Sequence, residues 1–278
     1  MPKPKTAAGY DSAQVERVRA TCLYVATKLG DLLDDLVVVG GLVPTLLIDQ
    51  ERPEIEKHVG TLDLDVGMTL AILDGGRYEE LTARLRAAGF SPDENERGNL
   101  TRQRWRIHST HKVTVDFLIP PSREGDVGGR LLDIEADFAA IIAPGLRLAF
   151  RDRVRVTIAG KTIRDEQARR NIWVCGPGAF VVMKALAFRS RGENKDAYDL
   201  VYFLRNYGTA TDEVAKSLAP LIADEEAKGA MQVLREDFAA IDSIGPRRAA
   251  EFIHGGRNDE AQADALGAVR DLLEALFA

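Results

Sequence analysis

The 278-residue sequence has few cysteines, no long apolar run and no excess of positive charge, and each scarcity excludes a class of protein. Its two cysteines, Cys22 and Cys175, show no Cys-x-x-Cys or Cys/His spacing, which argues against a disulfide framework and a zinc site. No apolar stretch reaches the roughly 18 residues of a membrane span, and no apolar segment follows the lysines of the first ten residues. We therefore expect a cytoplasmic protein with no membrane partner and with buried free thiols.

The charge balance excludes a protein that coats nucleic acid by bulk charge. The chain has 37 Lys and Arg against 43 Asp and Glu, a net charge of −6. One segment departs from this balance, because Arg147–Arg170 contains eight basic and three acidic residues and has a net charge of +5. With 45% apolar and 29% charged residues, the whole chain has the composition of a globular protein with a substantial core.

Hydrophobic periodicity predicts an α+β fold with two domains. Helices and strands mix over residues 1–175, and helices alone follow over residues 176–278. Apolar positions three and four residues apart predict an opening helix from Val15 to Leu32. The predicted strands are Leu36–Val39, Leu62–Val66, Arg102–Ile107, Val113–Ile119, Leu146–Phe150, Val154–Ile158 and Ile172–Cys175. The other predicted helices are Leu42–Ile48, Tyr78–Ala88, Phe180–Arg189, Asp196–Arg205, Asp212–Ile222, Met231–Phe238 and Asp259–Phe277.

Three aspartates in two predicted strands form a candidate metal site. Asp63 and Asp65 lie two residues apart on one strand face, so their carboxylates repel each other unless they share a cation or one has a raised pKa. Asp116 lies inside an apolar strand, where an ionised group is costly unless it is paired. Three converging acids would form an oxygen site suited to Mg²⁺ and phosphate. A solvated edge of strand aspartates is the alternative interpretation.

A pair of glycines precedes these aspartates. Gly40 and Gly41 lie between a predicted strand and a predicted helix, an arrangement whose backbone N–H groups and positive helix end bind phosphate. A tight turn explains the pair when it is considered in isolation. The nearby aspartates favour the phosphate-binding interpretation.

A lysine within an apolar segment allows two interpretations. Lys184 interrupts the apolar run 179–188, so its ammonium group needs an anion or must extend to solvent. Asp196 and Asp199 share one face of the next predicted helix and can supply that anion. One interpretation is an interhelical Lys–Asp ion pair. The other places Lys184 at a phosphate and Asp196 at the rim of the same cleft.

Five arginines alternate with other residues along predicted strands. Arg102, Arg104 and Arg106 share one strand face, and Arg153 and Arg155 share another. They are candidate acceptor-binding residues, which would hold a triphosphate or a nucleic-acid backbone. A solvated sheet face is the alternative. No nucleophile–base pair emerges from the remaining candidates, which we expect to be packing or surface residues: Cys22, Trp173, His108, His111 and His254.

Taken together, these motifs resemble the DNA polymerase β-like nucleotidyltransferase superfamily, with its Gly-Gly or Gly-Ser pair, Asp-x-Asp strand and later strand aspartate. The segment from Lys184 to Leu200 is similar to the Lys-x-x-Ala … Lys/Arg-Asp-x-x-Asp-Leu pattern of the AbiEii/AbiGii toxin-type branch. The resemblance extends from about Val37 to Leu204. Many relatives carry Ser where this chain has Gly41 and Arg where it has Val59. His58 is then a candidate substitute for that arginine, or a solvated loop histidine.

The resemblance implies a mixed-sheet nucleotidyltransferase core and an enzyme that uses Mg²⁺ to move NMP from an NTP to an acceptor. Asp63, Asp65 and Asp116 would hold the metal, and Asp116 would also help to deprotonate the acceptor hydroxyl. The catalytic residues so implied are Asp63, Asp65, Asp116, Lys184 and Asp196. The nucleotide-binding residues so implied are Gly40, Gly41, Thr61 and Lys184. The resemblance further implies a tRNA end or other RNA as the acceptor, and a toxin with a cognate antitoxin.

Two other functions stay open at this point. A small-molecule nucleotidyltransferase acting on an antibiotic-like acceptor would use the same chemistry, although Arg153 and Arg155 favour a polyanionic acceptor over a cationic drug. A non-catalytic nucleotide-binding or partner-binding module is favoured by Val59 in place of an arginine. The presence of all three aspartates favours catalysis instead.

Overall fold

The computed structural model describes residues 4–73, 76–95, 97–107, 113–209 and 211–277, and His108 and His111 lie outside these ranges. The described residues form an α+β fold with a mixed sheet, which confirms the predicted fold class. Strands and helices mix as far as Cys175, and from Pro177 onward the described residues form helices only. Across the described ranges, no helix combines the length and the apolar character needed to cross a membrane.

The chain divides into two compact units that draw on segments distant in sequence. The first unit contains Ser12–Leu42 and Thr61–Cys175. The second contains the segment that ends at Asp11, Val43–Gly60, and the chain from Gly176 onward. The chain therefore passes from the first unit to the second between Cys175 and Gly176, and also between Leu42 and Val43.

The first unit is built on a nine-stranded sheet. Its strands are β1 (Leu36–Val39), β2 (Asp63–Met68), β3 (Phe90–Glu94), β4 (Leu100–Ile107), β5 (Thr114–Ile119), β6 (Leu131–Asp133), β7 (Ala139–Ile142), β8 (Arg153–Lys161) and β9 (Gln167–Cys175). Their order is β3-β4-β5-β2-β1-β9-β8, and the β6–β7 hairpin joins the sheet through β7 and β5. The pairs β1–β9, β2–β5 and β5–β7 are parallel, whereas the others are antiparallel.

Among the described residues of this unit, three α-helices accompany the sheet: α1 (Ser12–Leu29), α3 (Arg77–Ala87) and α4 (Leu146–Arg151). Most of the predicted apolar stripe is buried in α1, at Val18, Cys22, Val25 and Leu29, and the helix packs against β8 and β9. The helix ends at Leu29, before the predicted end at Leu32, which is buried in a following 3-10 turn. Cys22 of α1 and Cys175 of β9 are buried free thiols, as predicted. Burial raises the pKa of the Cys22 thiol to about 12, so this group stays uncharged at neutral pH.

Local sequence signals misplaced some elements of the first unit. The predicted strand Leu146–Phe150 is wrong, because these residues form the helix α4 after Gly145, which adopts a left-handed φ of 81°. A short apolar run suits a buried helix as well as a strand, so its pattern does not distinguish the two. The strand β3 was not predicted because it contains Pro92, which the sheet accommodates at a register shift.

The second unit consists of helices: α2 (Val43–Leu47), α5 (Pro177–Arg191), α6 (Asn194–Asn206), α7 (Thr211–Leu218), α8 (Glu225–Asp237), α9 (Ile244–His254) and α10 (Asp259–Phe277). The helix α10 matches its predicted bounds. The helix α7 ends earlier than predicted, because Pro220 lies in a following 3-10 turn. The helix α9 was not predicted, because the pair Gly245-Pro246 is typical of a turn. In the structure Pro246 lies in the first turn of α9, where a proline is tolerated.

Candidate functional site

Three aspartates converge on neighbouring strands of the first unit. The parallel pairing of β2 with β5 places Asp65 beside Asp116, and strand alternation puts Asp63 on the same face as Asp65. Each of the three side chains offers one carboxylate oxygen, and these oxygens lie within 4.8 Å of one another. Asp63 and Asp116 are each only 4% exposed. The predicted convergence is therefore present, and a solvated edge of aspartates is excluded.

Gly40 is required by the position of one of these carboxylates. The antiparallel pairing of β1 with β2 places Asp65 opposite Val39, directly before the glycine. A Cβ atom at Gly40 would lie 2.0 Å from Asp65 Oδ2, and the φ of Gly40 is +73°, a conformation that L side chains rarely adopt. Gly40 thus leaves room for the Asp65 carboxylate. The proposed contact of Gly40 and Gly41 with phosphate stays a prediction.

An arginine on the adjacent strand contacts the aspartate triad, which we define as Asp63, Asp65 and Asp116. Arg104 of β4 lies opposite Asp116 of β5. Its Nε donates to Asp116 Oδ1 at 2.7 Å and its Nη2 donates to Asp116 Oδ2 at 2.5 Å, a bidentate pair. The same Nη2 lies 3.6 Å from Asp63 Oδ2. The hydrogen bonds to Asp116 and the negative charges of the three triad carboxylates raise the pKa of Arg104 above its usual range, so its guanidinium group stays charged.

Thr61, which lies between Gly60 and the strand β2, also contacts the triad. Thr61 Oγ1 donates a hydrogen bond to Asp63 Oδ1 at 3.0 Å, and Thr61 is buried. This contact fixes the Asp63 carboxylate from the side of the preceding loop. The resemblance implies a nucleotide-binding role for Thr61, and the contact places its hydroxyl against a proposed metal ligand.

The other two arginines of β4 share the predicted face but pair elsewhere. Arg102 Nη2 lies 2.9 Å from Asp133 Oδ1 of β6. Arg106 lies 3.6 Å from Asp93 Oδ1 and 3.5 Å from Glu94 Oε1 on β3. Among these three neighbouring arginines, only Arg104 therefore contacts the triad.

The basic segment Arg147–Arg170 begins in α4 and continues through β8 into β9. In the β8–β9 hairpin, two of its arginines lie over an indole ring. The guanidinium carbons of Arg153 and Arg155 lie 4.2 and 5.7 Å from the ring centroid of Trp173. Arg153 also donates to the Asp34 carbonyl oxygen at 3.0 Å, whereas Arg155 is exposed. Contact of this kind with an aromatic ring restrains the guanidinium groups, and the exposed Arg155 can still donate to an anion.

Lys184 and Asp196, the remaining predicted site residues, lie in the second unit in a buried ion network. Lys184 Nζ of α5 lies 3.0 Å from Asp196 Oδ1 and 2.6 Å from Asp199 Oδ2, both on α6. Lys195 Nζ binds Asp199 Oδ1 at 2.6 Å, and Arg191 forms a bidentate pair with Asp196. The interhelical Lys–Asp ion pair, one of the two interpretations, is therefore present.

The network controls the ionisation of its carboxylates. Burial alone would raise the pKa of Asp199, yet Lys184 and Lys195 hold it well below its usual range. The pKa of Asp196 is also lowered, because Lys184 and Arg191 outweigh the effect of burial. Both carboxylates are thus ionised and paired at neutral pH.

His58 completes this network, which local sequence reasoning did not anticipate. Its Nε2 lies 2.9 Å from Asp199 Oδ1, and its Nδ1 accepts a hydrogen bond from the Gly60 backbone N–H at 3.0 Å. The proton of the neutral ring is therefore on Nε2, which donates to Asp199. Burial lowers the pKa of His58 to about 4. The interpretation of His58 as a solvated loop histidine is wrong, because the ring is buried and stacks on Tyr198.

Comparison of the sequence with known protein families and with curated proteins identifies no relative. The chain matches no family model and no curated protein. The geometry of the triad and the sequence motifs are therefore the observations that bear on the function of this protein.

Proposed function

We propose that this protein is a metal-dependent nucleotidyltransferase that moves NMP from an NTP to an acceptor hydroxyl and releases pyrophosphate. The observation that carries the proposal is the convergence of Asp63, Asp65 and Asp116 within 4.8 Å on two central strands. In this proposal the first unit is the nucleotidyltransferase core, and the helices of residues 176–278 form the C-terminal domain. The Gly40 turn beside Asp65 and the resemblance of the motifs provide the further support.

The donor set fits a hard divalent cation such as Mg²⁺. Carboxylate oxygens are the ligands that this ion takes from proteins, and three of them meet here in a largely buried position. Arg104 already places a cationic group against Asp116 and Asp63. Bound at the triad, Mg²⁺ would neutralise the charge of the triphosphate and of the phosphate being transferred.

The residues of the chain position the substrates in this proposal. The backbone N–H groups of Gly40 and Gly41 and the hydroxyl of Thr61 are assigned to the triphosphate. Asp116 is assigned to accept the proton of the attacking hydroxyl. Arg104 already donates a hydrogen bond to each Asp116 oxygen, which makes the carboxylate a weaker base, so release of one of these bonds would make Asp116 a better proton acceptor.

The resemblance also implies catalytic roles for two residues of the second unit. Lys184 would contact a phosphate oxygen and Asp196 would belong to the catalytic set, and both roles stay predictions. Lys184 donates to Asp196 and Asp199 in its own unit, and these two carboxylates already balance its positive charge. Replacing Lys184 tests this assignment only together with a folding control, since removing one partner of a buried ion pair is destabilising.

We propose an RNA end, a tRNA end in particular, as the acceptor, and a toxin paired with an antitoxin as the cellular role. The basic segment Arg147–Arg170 and the arginines stacked on Trp173 support a polyanionic acceptor over a cationic antibiotic. Growth arrest on expression, relieved by Asp63→Asn, tests the toxin role separately from the chemistry.

The decisive assay incubates the protein with each α-labelled NTP, Mg²⁺ and total cellular RNA, and asks which molecule takes up label. We expect label in RNA for the wild type and none for Asp63→Asn. The matched control is Asp137→Asn, which makes the same charge change at an exposed carboxylate paired with Arg86. Absence of transfer from every NTP to RNA or to small acceptors contradicts the proposal.

A non-catalytic nucleotide-binding module is the second candidate function. The observation that favours it is the bidentate pairing of Arg104 with Asp116, which gives the triad a cation of its own. This candidate predicts that the protein binds an NTP in equilibrium dialysis and transfers no label to any acceptor.

A further inference from the structure

Arg104 has an unusual position for an arginine beside a candidate metal site. Its Nη2 faces Oδ2 of both Asp116 and Asp63, at 2.5 and 3.6 Å. A cation shared by these two carboxylates would occupy the same region. The side chains of Asp63 and Asp116 are each 5% exposed, whereas that of Arg104 is 36% exposed. The guanidinium group thus covers two buried carboxylates from the solvent side.

We propose that Arg104 is a built-in counter-cation that neutralises the triad without metal and that a divalent cation must displace to occupy the site. This inference rests on the proposed metal site and concerns its regulation. Without metal, the Arg104–Asp116 ion pair occupies the site. The site becomes available when a divalent cation replaces Arg104 at the carboxylates.

The electrostatics of the cluster explain why the two cations exclude each other. Three carboxylates within 4.8 Å repel one another, and the guanidinium group offsets one unit of that charge. A divalent cation offsets two units but repels an arginine held at the same oxygens. Because a bidentate arginine contact fixes both Asp116 oxygens, sharing the carboxylate would distort the geometry that Mg²⁺ requires.

The register of the strands β4, β5 and β2 places Arg104 beside the triad. Arg104, Asp116 and Asp65 lie in one row across β4, β5 and β2. Arg102, two residues away on the same face, pairs with Asp133 and does not contact the triad. These two arginines therefore form a matched pair: replacing either removes one positive charge, and only one replacement uncovers the triad.

The test measures Mn²⁺ binding to the full-length chain in the absence of nucleotide, by electron paramagnetic resonance of the free ion. The variants are Arg104→Gln, Arg104→Lys and the control Arg102→Gln. We expect Arg104→Gln to bind Mn²⁺ at least about tenfold more tightly than the wild type. Arg104→Lys should lie between them, since lysine keeps the charge but not the bidentate fork. Arg102→Gln should match the wild type.

A second measurement follows thermal unfolding with and without Mn²⁺. Without metal, Arg104→Gln should unfold at a lower temperature than Arg102→Gln, because the triad loses its counter-cation. Saturating Mn²⁺ should raise its midpoint more than that of the wild type. If Arg104→Gln does not fold, the comparison of Arg104→Lys with the wild type supplies the same test.

The outcomes separate this inference from the proposed function. If the wild type binds Mn²⁺ and Arg104→Gln binds it equally or more weakly, the inference is wrong and Arg104 only positions Asp116. If neither binds Mn²⁺, the proposed metal site itself is wrong, and the inference falls with it. If only the Arg104 variants bind, Arg104 blocks the site as proposed.

Discussion

Acid should destabilise this protein through one buried histidine, and His58→Gln should remove that effect. The pKa of His58 is lowered to about 4 by burial, against about 6.5 in an unfolded chain. Because the folded-state pKa is depressed, the stability contribution is complete above about pH 6.5 and is lost as the pH falls toward 4. A difference of this size corresponds to about 3 kcal/mol in the free energy of unfolding.

The charges around His58 support this sign. Asp199 accepts from Nε2, and Lys184 and Lys195 already neutralise that carboxylate, so a proton on His58 adds positive charge to a buried cluster. The lowered pKa values of Asp196 and Asp199 keep both carboxylates ionised through this pH range. Because an aspartate in an unfolded chain has a pKa of about 3.9, these two carboxylates reduce the stability only as the pH approaches 4 and contribute little between about pH 6.5 and 5.

Urea unfolding between pH 7.5 and 4.5 measures the effect, with His254→Gln as the control because His254 is exposed. We expect the wild type and His254→Gln to lose stability over this range by a similar amount. His58→Gln should be less stable at pH 7.5 and should lose less on acidification, so the two curves approach each other. Parallel curves for His58→Gln and the wild type would refute the reasoning.

Three further predictions concern the first unit. Asp63→Asn should abolish label transfer and leave the metal-free midpoint of thermal unfolding unchanged or slightly raised, since it relieves carboxylate repulsion; transfer at the wild-type rate would show that Asp63 is no ligand. Gly40→Ala should be destabilised by more than the roughly 1–2 kcal/mol of a left-handed alanine, because its Cβ meets a carboxylate; chemical denaturation against Gly125→Ala, which has a positive φ but open space, isolates the clash. Reversing Arg153 and Arg155 to Glu should flatten the salt dependence of RNA binding by about 0.7–0.9 units of slope per lost phosphate contact. NTP binding should persist, and equal slopes for both proteins would remove this hairpin from the acceptor site.

Much of the secondary structure could be predicted because periodicity is a local property. The alternation around Asp63 and Asp65 predicted one shared strand face, and the continuous apolar run Leu36–Val39 predicted a buried strand. Elements that depend on tertiary context were missed. The strand Phe90–Glu94 contains a proline, and Leu146–Phe150 suits either a strand or a helix.

In the candidate site, too, some features could be predicted from local sequence and others depend on tertiary structure. The three aspartates were predicted as a group because costly charges on apolar strands need a common explanation. The partner of Asp116 could not be predicted, because the pairing of Arg104 with it depends on the register of two antiparallel strands. The burial of His58 likewise depends on the packing of its loop against α6, which no local pattern encodes.

The most direct test of the metal-dependent nucleotidyltransferase is a crystal structure with Mn²⁺ and a non-hydrolysable NTP, using the anomalous signal of the metal. We predict Mn²⁺ bound to oxygens of Asp63, Asp65 and Asp116 and to the triphosphate, with Arg104 released from Asp116. A structure with nucleotide bound elsewhere, no metal at the triad and the Arg104–Asp116 pair intact would contradict the central claim.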